Sequence, residues 1–190
     1  YAYLYLKNLT NTGGGSIISA NGYMMYNGEF RCERAGCLIE NHNDIFLRAE
    51  PGKWRNILKL KFIYEDIPSD SNYVSKSENV LLPEVNYTGH TDYAQKSLDK
   101  LFESIEDCYS SVLPIESIKI ASSPEPTEAH ILSTTRMGVN PLESVVDKNL
   151  LHHQYRNLFI LGGGVFPTIS PANPTLTLSA LSLMAANKAF

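Results

Sequence analysis

The order of apolar and polar positions changes period along this chain. Between residues 31 and 90 it breaks into short β-rich runs: Ile45-Phe46-Leu47, Ile57-Leu58-Lys59-Leu60-Lys61-Phe62-Ile63-Tyr64-Glu65, and Val80-Leu81-Leu82 with Val85 and Tyr87. The longest run alternates Leu60, Phe62 and Tyr64 against Lys59 and Lys61, the two-residue period of a strand with one face on a core. Turn-forming clusters separate the runs at Glu50-Pro51-Gly52, Pro68-Ser69-Asp70-Ser71-Asn72 and Ser75-Lys76-Ser77-Glu78-Asn79. This pattern predicts an antiparallel sheet with one solvated face. From 91 to 113 the step lengthens. Ala94, Leu98, Leu101, Ile105, Cys108 and Val112 fall three or four apart, on one face of a helix of about six turns. Thr91 or Asp92 can cap its start, and Glu103, Glu106 and Asp107 fall on its solvated side. A strand returns at Ile118-Lys119-Ile120.

The tail has a different texture. Leu158-Phe159-Ile160-Leu161 predicts a short buried strand running into Gly162-Gly163-Gly164, where backbone must come close to a ligand or to another chain segment. A plain glycine turn between a core strand and a core helix accounts for the same residues. Asn173 followed by Pro174 predicts a helix start, with Asn as N-cap and Pro at the first helical position, where its missing N–H costs nothing. Leu176, Ala180, Leu183 and Met184, with Leu178, Leu181 and Ala185, make that helix apolar on most sides, so it is expected to be buried. Its N-terminus would offer unpaired N–H groups and a partial positive charge to an anion or an electron-rich cofactor edge.

These elements define an α+β chain. Its 190 residues suit one core, and a 43% hydrophobic, 19% charged composition with net charge -4 describes a globular chain with no basic patch for nucleic acid. No apolar run reaches the length of a membrane span, and no basic-then-apolar leader opens the chain. It begins at Tyr1 and not at Met, as a fragment or processed product would. Cys32, Cys37 and Cys108 argue against a disulfide framework, although Cys32 and Cys37 are close enough to pair across a hairpin, and no histidine or second cysteine pair is nearby to make a zinc site. Asn8-Leu9-Thr10 and Asn86-Tyr87-Thr88 match the short glycosylation acceptor pattern.

Two glycine triplets invite comparison with a dinucleotide fingerprint. In Asn11-Thr12-Gly13-Gly14-Gly15-Ser16 the sixth position from Gly13 is Ile18, and from Gly162 it is Pro167. Neither triplet is a phosphate loop, so the chain has no recognisable site for the pyrophosphate of FAD or NAD. Among the histidines, His42, His90, His152 and His153 lie in polar loop or hairpin contexts that point to the surface. His130, taken alone, reads the same way.

The order of motifs changes that reading. His130 with Thr134-Thr135-Arg136-Met137-Gly138, then Ser144-Val145-Val146-Asp147, then Asn157-Leu158-Phe159 with Gly162-Gly163-Gly164 and Pro167-Thr168, and finally Asn173-Pro174-Thr175-Leu176-Thr177 resembles the C-terminal segment of glucose-methanol-choline (GMC) flavoprotein oxidoreductases. Within that family the last block is most similar to the branch holding pyranose oxidase and the sugar and gluconate dehydrogenases. The family usually has Gly where this chain has Ser133. Residues 31 to 90 resemble the sheet of the family's substrate-binding domain less specifically.

The resemblance implies residues 1–129 as a substrate-binding-type region, incomplete at its N-terminus, and 130–190 as the segment carrying catalytic and flavin-facing motifs. It implies FAD as cofactor and oxidation of a sugar, sugar acid, polyol or other alcohol by hydride transfer to flavin. His130 would be the general base and Asn173 would orient the substrate. Gly162 and Gly163 would let the backbone approach the flavin, and the helix beginning at Pro174 and Thr175 would turn its positive end to the flavin pyrimidine edge. The expected partners are a small-molecule alcohol or sugar and an N-terminal FAD-binding region. The alternative is a non-catalytic or truncated domain that cannot hold FAD alone and serves binding or assembly. No motif specifies the electron acceptor or the cellular location.

Overall fold

The computed structural model describes residues 1–7, 18–24, 26–42, 45–52, 55–79 and 81–189. Asn8-Leu9-Thr10, the Asn11 to Ser16 loop and Val80 lie outside them. Close contacts divide the chain into two units, Tyr1–Glu65 with Asp92–Pro126, and Asp66–Thr91 with Thr127–Phe190. A single cut between 129 and 130 is the simplest reading of the sequence. The contacts instead group the Asp66–Thr91 excursion with the tail.

The first unit is an antiparallel sheet of five strands with helices, as the α+β pattern requires. Its strands are β1 (Ala2–Leu6), β2 (Ile18–Met24), β3 (Cys37–His42), β4 (Ile57–Tyr64) and β7 (Ile115–Ile120), ordered β2-β3-β4-β1-β7. In the register Leu4 stands opposite Leu58 on one side and Ile118 on the other. One sheet face presents Ala2, Leu4, Leu58 and Leu60, which close a core with Leu101 and Ile105 of helix α2 (Asp92–Ser110). Each such leucine or isoleucine side chain removed from water contributes about 1.5–3 kcal/mol. The predicted period holds through Ile105 and then fails, because Cys108 is exposed and Val112, also exposed, lies beyond the helix end at Ser110. Ser97, which the apolar spacing passes over, is buried and donates to the Ala35 carbonyl at 2.9 Å.

The other sheet face is not wet as the alternation implied. Lys59 is buried, with its ammonium over the Tyr1 ring at 4.3 Å and the Tyr3 ring at 5.3 Å. Buried Glu40 lies opposite Lys61 in the register, 3.6 Å from its ammonium. A long lysine stem lies along apolar surface while its charge meets aromatic faces or a carboxylate, so polar residues can alternate along a covered face.

Glu65, the residue after β4, sits in a clamp. One carboxylate oxygen takes the Arg31 guanidinium, the Tyr93 hydroxyl at 2.7 Å and the Gly36 N–H at 2.8 Å. Burial alone would raise this carboxyl, but the three donors outweigh it and hold Glu65 below its usual range. Burial, with the bond to the same carboxylate, pushes the Tyr93 phenol up to about 12. Cys32, Cys37 and Cys108 are all free thiols. The run at Ile45 forms a short helix, α1 (Ile45–Ala49), and not a strand. Three apolar residues in a row are too few to carry a period, so tertiary context decides.

In the second unit β5 (Tyr73–Ser75) and β6 (Glu84–Asn86) form a hairpin. Asn72 closes its base, accepting from the Thr88 N–H at 2.7 Å and the Thr88 hydroxyl at 2.9 Å. Leu81 and Leu82, expected in a strand, are exposed in a turn where the Asn79 side chain accepts the Leu81 N–H at 3.0 Å. Asn side chains bond to nearby backbone in place of ladder partners, which competes with strand formation. His90 is not an isolated surface imidazole, since its Nδ1 lies 3.6 Å from Asp66. The tail's core gathers Val146 and Leu150 from loops, Val165 from a 3-10 turn (Gly163–Val165) and Ala185 from helix α3 (Thr175–Ala189).

Candidate functional site

His130 is half-buried, and the backbone around it is unusual. Ala129 before it and Ser133 after it both adopt left-handed backbone, at φ 62 and φ 66. For an L-residue this conformation costs roughly 1–2 kcal/mol, and such residues cluster where surrounding structure imposes them. The Ala129 N–H donates to the Thr127 hydroxyl at 3.0 Å. Beyond His130 the chain is laced to the glycine triplet. Ser133 N–H donates to Gly163 O at 3.3 Å, Thr135 N–H to Gly164 O at 2.8 Å, and Met137 N–H to Val165 O at 2.9 Å.

This lacing explains why glycine is needed there. A Cβ at Gly163 would lie 2.7 Å from the Ile131 carbonyl oxygen, and one at Gly164 would lie 2.6 Å from the Thr135 hydroxyl and 2.9 Å from that of Thr134. The close approach expected of the triplet is therefore made, at these two positions, to the chain's own 131–135 segment. Gly162 differs. Its φ is 96, and a Cβ there would meet nothing within 4 Å. The segment Leu158-Phe159-Ile160-Leu161 is not a buried strand. It is the return arm of a narrow hairpin bridged at Leu151 and Phe159, and Leu161 is 51% exposed.

Helix α3 begins one residue later than expected. The Pro174 carbonyl accepts the first intrahelical bond, from Leu178 N–H at 3.0 Å, so Pro174 stands at the cap and exposed Asn173 just outside it. Among the described residues the Asn173 side chain makes no hydrogen bond, and no side chain caps the N–H groups of Thr175, Leu176 and Thr177. The helix is also not buried, with Leu176 83% and Leu183 63% exposed and only Ala185 fully enclosed. Side-chain hydropathy states a preference for burial, but the described residues of this chain cover little of the helix. Because Asn173 does not cap, Asn173→Ala is expected to leave the melting temperature unchanged within about 1 °C. A clear loss in a thermal melt would restore a capping role.

His130 and Asn173 both belong to the second unit, and no hydrogen bond joins them. Among the described residues neither imidazole nitrogen of His130 has a hydrogen-bond partner. The other tail histidines, both half-buried, make local structural bonds. The Ser144 hydroxyl donates to the Asn140 carbonyl at 2.6 Å, so at 2.9 Å from His153 Nε2 it accepts from an imidazole N–H and is not activated by a base. His152 Nδ1 accepts the N–H groups of Gln154 and Tyr155, each at 3.1 Å, which fixes a turn. Asp147 likewise caps its own turn through the N–H groups of Asn149 at 2.8 Å and Leu151 at 3.2 Å. Burial opposes its charge, but these bonds and Arg156 hold its carboxyl below the usual range. Arg136 donates to the Glu143 carbonyl at 2.8 Å and pairs with Asp70 at 3.3 Å. Sequence reasoning missed the strained pair at 129 and 133. The one trace of it was a serine at a position where the resemblance expects glycine.

No group of three or more metal-ligating side chains and no helix able to cross a membrane occur among the described residues. The family model described as GMC oxidoreductase matches residues 73–182, more than half of the chain, and the chain belongs to that family. Among its relatives, the fructose dehydrogenase large subunit of Gluconobacter japonicus is 47% identical over 58 residues, which cover 30% of this chain and 11% of that protein. The 2-methyl-1,2-propanediol dehydrogenase of Mycolicibacterium austroafricanum is 28% identical over 139 residues, 68% of this chain and 24% of the relative. The matched stretches thus span between about a tenth and a quarter of the length of these relatives.

Proposed function

We propose that this chain is the C-terminal part of an FAD-dependent oxidoreductase that oxidises the CH–OH group of a sugar, sugar acid or polyol. The observation that carries the reading is the lacing of 131–137 onto Gly163, Gly164 and Val165, which fixes the backbone beside His130 next to the glycine triplet. Family membership and the two dehydrogenase relatives support the reaction class.

The residues present fit a flavin. Gly162 leaves open space on the side where a Cβ would project. The N-terminus of α3, where Pro174 precedes the N–H groups of Thr175, Leu176 and Thr177, has no capping side chain and is suited to an electron-rich ring edge. Gly163 would contribute through its backbone. When bound, FAD supplies the hydride acceptor. His130, as a neutral imidazole, takes the proton of the substrate hydroxyl, and the Asn173 amide holds the substrate oxygen with a donor that does not itself transfer protons. The adenosine and pyrophosphate would be held by a partner region carrying the glycine fingerprint that this chain lacks. The chain by itself is accordingly expected to hold FAD weakly, as the binding-only alternative also requires.

The test is anaerobic mixing of the flavin-loaded oxidoreductase with a panel of sugars, sugar acids and polyols. Loss of the oxidised flavin absorbance with at least one of them is the expected result. A flavin that stays oxidised with every member of the panel, while other reductants bleach it, would remove the activity.

A further inference from the structure

We infer that the left-handed backbone at Ala129 and Ser133 is a positioning device that aims the His130 imidazole, an assignment that rests on the proposed role of His130. A catalytic base is ordinarily oriented by a third group that hydrogen-bonds its far nitrogen. Among the described residues His130 has no such partner, and what the structure fixes is the backbone that carries it. That backbone is fixed at three points. The Ala129 N–H is held by the Thr127 hydroxyl at 3.0 Å, the Ile131 carbonyl is seated against Gly163, and the Ser133 N–H is held by Gly163 O at 3.3 Å.

The residue types at the two strained positions fit this role better than a role in stability. Glycine adopts φ values near 62 and 66 without steric cost, and at 133 it would also remove a buried hydroxyl that has no hydrogen-bond partner. An L-residue in the left-handed region occupies a small well, whereas glycine has a wide one. Ala and Ser thus narrow the travel of the segment that carries His130. Ala129 and Ser133 are positioning residues, acting through His130 without touching the reacting atoms.

The test uses the flavin-loaded oxidoreductase containing this chain, with Ala129→Gly, Ser133→Gly and Ala129→Asn measured beside His130→Ala. Asn tolerates left-handed backbone while keeping a Cβ, so it is the conservative replacement at exposed Ala129. Each Gly variant is expected to melt at or about 2 °C above the wild type, yet to reduce flavin roughly tenfold more slowly. KM and the flavin spectrum should be unchanged, and Ala129→Asn should retain most of the rate. Gly variants that reduce flavin at the wild-type rate overturn the assignment, and so does Ala129→Asn if it is as slow as Ala129→Gly. If His130→Ala reduces flavin normally, the reading of the site fails and the positioning role with it. If His130→Ala is slow while both Gly variants are fast, only the positioning role fails.

Discussion

Replacing His130 with Ala is expected to slow flavin reduction by the alcohol substrate by about two to four orders of magnitude, the usual span for losing a general base. Flavin content and spectrum should be unchanged. The imidazole is the one titratable group in the 129–135 segment, and it carries no internal hydrogen bond among the described residues that would occupy it structurally. Removing it should therefore cost little stability. The tail's other imidazoles are committed elsewhere, His152 to the N–H groups of Gln154 and Tyr155 and His153 to Ser144. Neither is placed to substitute as a base. Stopped-flow reduction under anaerobic conditions separates this step from reoxidation, and a rate within a factor of about three of wild type would take His130 out of the chemistry.

The largest structural effect is expected at Gly163. In Gly163→Ala the new methyl would sit 2.7 Å from the Ile131 carbonyl oxygen and 2.8 Å from Leu132 Cδ2. The carbonyl belongs to backbone that Ser133 and Thr135 tie to Gly163 and Gly164, so it cannot withdraw without breaking those bonds. Overpacking of this kind costs about 1–3 kcal/mol, and with a ladder bond lost the total should approach 3 kcal/mol. Gly164→Ala should be milder, since the atoms it meets are the Thr134 and Thr135 hydroxyls, which can rotate. A thermal melt in which Gly163→Ala is as stable as wild type would show that the lacing does not hold the tail together.

The regular elements were legible where period and length agreed. Helix α2 and strand β4 are long enough for their apolar spacing to be read, and both lie where that spacing puts them. Runs of three or four apolar residues were not legible. Ile45-Phe46-Leu47 became a helix, and Leu158 to Leu161 became an exposed hairpin arm. The helix start at Asn173-Pro174 was correct to one residue, but that residue decides whether Asn173 caps α3 or stands free. The apolar surface of α3 illustrates a further limit. Hydropathy predicts burial without naming a partner surface, and this chain encloses little more than Ala185.

The candidate site was legible as a set of residues and not as a geometry. Spacing and resemblance selected His130, Asn173 and the glycines, but not which glycine meets what. Gly163 and Gly164 face the chain's own 131–135 segment, and Gly162 faces open space. Left-handed backbone at Ala129 left no mark in the sequence, because alanine carries no preference for it, and at Ser133 the only mark was a serine where the resemblance expects glycine. The motif residues Val146 and Asp147 proved to be parts of the core and of a turn.

The central claim is that His130 and Asn173 act on the same substrate hydroxyl. A double-mutant cycle on flavin reduction, His130→Ala and Asn173→Ala singly and together, tests it most directly. Asn173→Ala alone should slow reduction roughly tenfold, for the loss of one hydrogen bond to the reacting oxygen. The account predicts that the double variant is slowed by clearly less than the product of the two single effects, because a shared hydroxyl can be lost only once. Effects that multiply in full would place the two side chains in separate roles and contradict it.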